Sequence, residues 1–205
     1  MCFEMRKPMR WRVAVGVTVV ALFASCTLAD LTNGGFETGN LTGWTWTKDK
    51  GSTVTVVTGH STWDPSEGSY FAQLKSDGNS GFVQLFQSFT ASAQDNILKG
   101  DYFWDGATGN QVSAVGKILG PTGNQIGLPL FTFSQADVDT GWLSFSRSLT
   151  PGQTYTLWFE LRNVTLGNGN CYLGIDNAQL VPLPAAVLLG VLGLAAAGLK
   201  LRKLV

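Results

Sequence analysis

Short apolar runs separated by turn-forming residues fill the middle of the chain. In Thr154–Arg162, apolar residues occupy every second position, the period of a strand that buries one face. This period predicts that Tyr155, Leu157, Phe159 and Leu161 face a core, with Thr156, Trp158, Glu160 and Arg162 on the outer face. Comparable runs predict eight more strands: Ser52–Thr58, Ser69–Lys75, Phe82–Phe89, Ile97–Trp104, Gln111–Leu119, Leu128–Phe133, Gly141–Leu149 and Cys171–Val181. No segment of 30–181 keeps a helical period, so we predict one all-β domain of two packed sheets.

The N-terminal end has a different pattern. Residues 1–29 join a basic stretch to the apolar run Val13–Ala24, with small residues ahead of a cleavage position after Ala29. This combination is typical of a secretory signal peptide, which predicts an N-terminal signal helix and export. Phe23–Cys26 also resembles a bacterial lipoprotein box, which leaves lipid attachment at Cys26 open.

The C-terminal end, 182–205, predicts a transmembrane helix. Leu183–Leu199 is an apolar run of 17 residues, and a helix of that length is about 25 Å long, near the minimum for a membrane span. The basic tip Lys200–Lys203 follows at once and indicates a cytoplasmic C-terminus, with 30–181 on the other side of the inner membrane.

This tail resembles the PEP-CTERM sorting signals in their Val-Pro-Leu-Pro-Ala variant. Three elements follow one another as in that family: a proline-containing motif, an apolar segment and a basic tip. The matching residues are Val181, Pro182, Leu183, Pro184 and Ala185, and Lys200, Arg202 and Lys203. Leu183 stands where the commonest form of the family has Glu. The resemblance implies recognition by an exosortase-like membrane transpeptidase and removal of the tail, so that membrane insertion is transient and the domain reaches the cell surface or matrix.

Charge and cysteine content narrow the possible partners. Residues 30–181 contain 7 basic and 13 acidic residues, and such an acidic domain disfavours nucleic acid as a partner. Cys171 is the single cysteine after the predicted cleavage site, so no intrachain disulfide can form. Its place in a predicted core strand favours a small buried side chain over a reactive thiol.

Two further segments carry a second resemblance. Asn33–Trp44 is similar to the first strand of galactose-binding-like jelly rolls, a group that includes many carbohydrate-binding modules, and Gly174–Leu180 is similar to their last strand. The resemblance implies a jelly-roll β-sandwich with a structural Ca²⁺ held by Glu37 and Asp176, which are hard oxygen ligands. The alternative is that Glu37 caps a turn and Asp176 accepts hydrogen bonds from the adjacent backbone.

Tryptophan content points to a ligand. Sugar binding uses exposed aromatic faces, and Trp63 in a predicted loop and Trp158 on a predicted outer face are the candidates, with Asp64 beside Trp63. The alternative for each tryptophan is packing on or within the sheets. His60 is the single histidine, and it is predicted to be a solvated loop residue. Five carboxylates could serve glycoside hydrolysis, although the sequence does not bring them together: Asp64, Glu67, Asp101, Asp105 and Glu160.

These patterns predict a non-catalytic cell-surface or secreted protein that binds extracellular polysaccharide. One alternative is a structural matrix or adhesion protein that has no specific sugar ligand. A hydrolase of the same polymers is the other alternative. No G-x-S-x-G elbow, metal-protease helix or phosphate-binding loop is present in the sequence. This favours the two non-catalytic hypotheses over the hydrolase.

Overall fold

The computed structural model describes residues 31–49, 51–77, 81–106, 112–134, 139–163 and 170–182. Within these ranges the chain forms ten strands and no helix; the apolar pattern predicts the all-β character and nine of these strands, but not the first. The strands are β1 Thr45–Lys48, β2 Thr53–Val57, β3 Phe71–Lys75, β4 Gly81–Thr90, β5 Asp95–Asp105, β6 Val112–Leu119, β7 Phe131–Ser134, β8 Leu143–Ser148, β9 Thr154–Asn163 and β10 Tyr172–Pro182.

The strands form two five-stranded antiparallel sheets. Sheet A has the order β1-β4-β9-β6-β7, and sheet B has the order β2-β3-β10-β5-β8. Apolar side chains from both sheets form one core, in which Trp104 of β5 and Phe159 of β9 are fully buried. Cys171 is also fully buried there, as its position predicts. The fold is therefore an all-β two-sheet sandwich.

Strand β9 lies at the centre of sheet A and has the predicted alternation. Its core-facing residues are buried, whereas Thr156, Trp158 and Glu160 are half-buried on the outer face. Phe86 of β4 and Lys117 of β6 are the cross-strand partners of Trp158. Because opposite residues in antiparallel strands point to the same side of the sheet, these three side chains lie next to one another.

Two segments differ from the strands expected for them, one from the resemblance and one from the apolar pattern. Asn33–Trp44 forms successive turns, and the first strand begins at Thr45, because Asn33, Phe36, Gly39 and Gly43 have positive φ angles that a strand does not accommodate. Strand β7 begins at Phe131 rather than Leu128. Pro129 has no backbone N–H to donate to a neighbouring strand, and Leu128 is 80% exposed.

The C-terminal motif begins inside the sandwich. Val181 and Pro182 belong to β10, opposite Ile97 and Asp95 of β5. The rest of the predicted tail, Leu183–Val205, lies outside the described residues, as do the predicted signal peptide and Cys26. In the ranges that the structure covers, no helix has the length and hydropathy that a membrane crossing requires.

Candidate functional site

An aromatic pair stands at the centre of the outer face of sheet A. The rings of Phe86 and Trp158 are stacked, with centroids 4.6 Å apart and planes 14° from parallel. On the other side of Trp158, the Lys117 ammonium lies 5.5 Å from the centre of the indole ring. Both ring faces of Trp158 are therefore covered, and its buried indole Nε1 has no hydrogen-bond partner among the described residues. We call the surface formed by Phe86, Lys117, Trp158 and Glu160 the Trp158 face.

Polar groups border this aromatic pair at one end. Gln84 Nε2 donates to Glu160 Oε2 over 2.7 Å, and Arg162 Nε donates to Glu160 Oε1 over 3.1 Å. Burial raises the pKa of Glu160, but these hydrogen bonds and the charges of Arg162 and Lys117 outweigh burial, so the pKa is lower than usual. Glu160 is thus an ionised acceptor near neutral pH.

Paired hydroxyl groups of β4 and β9 lie beyond the other end of the aromatic pair. The hydroxyls of Ser88 and Thr156 are 2.9 Å apart, and those of Thr90 and Thr154 are 3.0 Å apart. Four cross-strand pairs of β4 and β9 thus follow one another on the outer face: Gln84–Glu160, Phe86–Trp158, Ser88–Thr156 and Thr90–Thr154. At about 3.4 Å per residue, this row extends for about 20 Å. We call it the β4–β9 row.

This arrangement suits an elongated ligand that has both apolar and hydroxyl-rich surfaces. An aromatic ring packs against C–H groups, while carboxylate, amide and hydroxyl groups fix the ligand's hydroxyls. Lys117 covers the ring through a cation–π contact that is worth about 0.5–1 kcal/mol at exposed sites. A ligand that packs on the indole can therefore displace the ammonium.

The other candidate tryptophan, Trp63, lies on the opposite side of the sandwich. The segment 58–70 covers the outer face of sheet B, and there the half-buried Trp63 packs on Phe103 with ring centroids 4.7 Å apart. Trp142 Nε1 donates to the main-chain oxygen of Asp64 over 2.7 Å. Trp63 and Asp64 are thus close together but far from Trp158, and ligand contact at these two residues stays a prediction.

The expectation for His60 is wrong. His60 Nε2 lies 2.6 Å from Asp105 Oδ2, and its ring packs against Phe103 and Tyr172 with centroid distances of 5.6 and 4.3 Å. His60 and Trp63 also exchange two backbone hydrogen bonds. Because Asp105 is 45 residues away in the sequence, no local sequence pattern predicts its contact with His60. His60 holds segment 58–70 onto sheet B instead of lying in solvent beside Asp64.

Glu37 and Asp176 converge on one short segment, Ser66–Tyr70. Glu37 Oε1 accepts the N–H groups of Ser69 and Tyr70 at 2.9 and 3.0 Å. Asp176 Oδ2 accepts Ser66 Oγ–H at 3.0 Å and the N–H of Glu67 at 3.1 Å. Among the residues described, no group of three or more His, Cys, Asp or Glu side chains could hold a metal ion. Both carboxylates therefore act as hydrogen-bond acceptors, and calcium at these residues stays a prediction.

Thermal melting tests that calcium prediction. With calcium bound to the folded protein alone, the Tm rises in CaCl₂ relative to EDTA, and Glu37→Gln removes the rise. An unchanged Tm in the wild-type protein would contradict the calcium site. A rise that Glu37→Gln leaves intact would assign the ion to other residues.

The buried carboxyl of Asp176 makes stability depend on pH. Burial raises the pKa of Asp176 and hydrogen bonds from Glu67, Ser66 and Asn177 offset part of that rise, so that the net pKa is about 6 instead of 3.8. The folded state therefore binds the Asp176 proton more tightly than the unfolded chain does, and this difference stabilises the fold. The stabilisation is complete below about pH 3.8 and is lost as the pH rises through 6.

We expect this pH dependence to disappear in Asp176→Asn. The free energy of unfolding of the wild-type protein, relative to the variant, should fall by about 2 kcal/mol between pH 4 and pH 7. Urea unfolding of both proteins at several pH values measures that difference. A difference that stays constant, or grows with pH, would contradict the raised pKa.

Of the five carboxylates considered for hydrolysis, Glu160 lies apart from the other four. Glu160 is on sheet A, whereas Asp101 and Asp105 are on β5 of sheet B, and Asp64 and Glu67 are in the segment that covers sheet B. Ser66 Oγ lies 3.0 Å from both Asp101 Oδ2 and Asp176 Oδ2, but Asp176 is fully buried. Asp176, the carboxylate beside Asp101, therefore cannot reach a glycosidic bond.

No protein-family model matches the chain, and no curated protein matches it. Among solved structures, the chain is similar to TmCBM61, a module solved in complex with β-1,4-galactotriose. The two share a TM-score of 0.51 and 20% sequence identity, and the match covers 75% of this chain and 97% of that one. A carbohydrate-binding module of the β-sandwich superfamily also has a TM-score of 0.51, with 13% identity over 75% of this chain and 62% of that one. The enzymatically active domain of tailspike protein 4 from bacteriophage CBA120 has a TM-score of 0.50, with 14% identity over 76% of this chain and 21% of that one. The sandwich thus has the jelly-roll fold of carbohydrate-binding modules.

Proposed function

We propose that this protein is a non-catalytic carbohydrate-binding protein, and that a polysaccharide chain lies along the β4–β9 row. The observation that carries the proposal is the stacked Phe86–Trp158 pair, which has hydrogen-bonding side chains on both sides along the same two strands. A fold shared with carbohydrate-binding modules agrees with this function, although a fold alone does not assign one.

The length of the row favours an oligosaccharide over a single sugar. Four consecutive side-chain pairs span about 20 Å, and the aromatic pair lies within the row instead of closing a pocket. A polymer can therefore enter and leave the site at both ends. Each additional sugar unit would contact another pair until the row is filled.

Titration calorimetry with purified protein tests this proposal. After affinity electrophoresis selects the polysaccharides that retard the protein, oligosaccharides of increasing length from those polymers are titrated. We expect the affinity to rise with length and then to level off. Absence of binding to every polymer would contradict the proposal and favour a structural matrix or adhesion role. Release of reducing sugar that a single carboxylate variant abolishes would favour a hydrolase.

We also propose that the protein acts outside the cell after sorting by an exosortase-like system. The support is the signal-peptide pattern of 1–29 and the PEP-CTERM-like tail of 182–205. Intact-mass measurement of protein from its native host is the test. A mass that ends before Ala186 is expected, whereas a mass that extends through Val205 would contradict removal of the tail.

A further inference from the structure

The two outer faces of the sandwich differ in charge. Among the described strand residues, the charged side chains on the outer face of sheet A are Lys117, Glu160 and Arg162, two cations and one acid; the acid Asp49 follows β1 and accepts the N–H of Phe82. The strands of sheet B carry four acids, Asp95, Asp101, Asp105 and Asp176, and three cations, Lys75, Lys99 and Arg147. In a domain with 13 acidic and 7 basic residues between 30 and 181, the strand residues of this outer face thus include one more cation than acids, while within the Trp158 face itself the charges of Lys117 and Glu160 balance.

Within this region, Lys117 has no short ion pair among the residues that the structure describes. The oxygens of Glu160 already accept hydrogen bonds from Gln84 and Arg162. The Lys117 ammonium lies instead over the ring of Trp158, 5.5 Å from its centroid. The Lys117 charge also acts on the nearby Glu160 carboxylate, but the contact that a ligand would replace is the one with the aromatic ring.

Once a ligand displaces Lys117 from the ring, the charge of that ligand affects how well it binds. A sugar that packs on the indole removes the ammonium from the ring but leaves it within reach of that sugar, because Lys117 and Trp158 are directly opposite on β6 and β9. A neutral sugar offers only hydroxyls to the displaced ammonium. An anionic substituent offers a charged acceptor, and hydrogen bonds to charged groups are the stronger ones.

We propose that Lys117 determines specificity and that the Trp158 face selects acidic polysaccharides, whose sugars carry a carboxylate or sulfate group. This inference rests on the proposed function and adds the substrate class. The anion pairs with the Lys117 ammonium while the C–H face of the same or the adjacent sugar replaces the ammonium on Trp158.

Matched acidic and neutral polymers test the inference. Affinity electrophoresis compares polygalacturonate with its methyl ester, and dextran sulfate with dextran, so that the two pairs distinguish carboxylate from sulfate. We expect the wild-type protein to bind at least one acidic polymer about tenfold more tightly than its neutral partner, and less so at 0.5 M NaCl. Lys117→Gln should remove this preference.

Lys99→Gln is the matched control, because it makes the same change in net charge on an exposed residue of sheet B. It should keep the preference of the wild-type protein. Equal loss in both lysine variants would assign the preference to overall charge and overturn the inference. Binding of neutral polymers without any acidic preference would overturn the inference but leave the proposed function standing. Absence of binding to all polymers, here and in the wider selection above, would overturn both.

Discussion

Replacement of Trp158 by alanine is expected to weaken oligosaccharide binding about 30- to 150-fold, a loss of about 2–3 kcal/mol. The indole is the largest side chain of the β4–β9 row, and it gives a sugar the apolar surface that the hydroxyl pairs lack. Its Nε1 has no partner in the described part of the chain, so the substitution leaves no hydrogen-bond acceptor unsatisfied there. Calorimetric titration with the oligosaccharide that binds most tightly measures the loss.

Trp46→Ala is the matched control for this variant. Trp46 is 45% exposed on the edge strand β1, but its cross-strand partner is the fully buried Leu85, so it points toward the inner side of sheet A. We expect its replacement to change the affinity by less than about twofold. A loss of binding in Trp46→Ala, with Trp158→Ala unaffected, would move the binding site to the edge of the sandwich.

Gly34→Ala is expected to cause the largest loss of stability. A Cβ at position 34 would lie 1.7 Å from the carbonyl oxygen of Ala178, and Gly34 itself accepts the N–H of Ala178 at 3.0 Å. Backbone must therefore move, and the segment that carries the fully buried Phe36 would lose its position against β10. We expect a loss of about 3 kcal/mol and a fall in Tm of about 6–12 °C.

Gly141→Ala provides the comparison, because a Cβ there would have no heavy atom within 4 Å and its φ angle is not positive. Its stability should stay within about 0.5 kcal/mol of the wild-type value. Differential scanning calorimetry of both variants distinguishes the expected steric effect from a general effect of removing glycine. Equal Tm values for the two variants would contradict the close approach of Gly34 to Ala178.

The sandwich and the outer position of Trp158 were predictable because they depend on local alternation. In β9 every second residue from Tyr155 to Leu161 is apolar, and the structure buries these positions. A period of two also places Trp158 with Glu160 on the other side of the strand. Neither conclusion requires knowledge of which strands are neighbours.

The contacts that define the site were not predictable in this way. Trp158 meets Phe86 and Lys117 because β9 lies between β4 and β6, and that strand order is a property of the whole fold. His60 similarly contacts Asp105 only because segment 58–70 folds over sheet B. The resemblance of Asn33–Trp44 to the first strand of a jelly roll implied a strand, but positive φ angles at Asn33 and Phe36 place these residues in turns.

Chemical-shift mapping by NMR tests the central claim most directly. Titration of the labelled protein with the oligosaccharide that binds most tightly should shift the backbone amides of β4, β9 and β6, together with the indole N–H of Trp158. The indole N–H signals of Trp63 and Trp142 on sheet B should stay in place. Saturable shifts confined to segment 58–70 and sheet B, with Trp158 unchanged, would contradict binding at the outer face of sheet A.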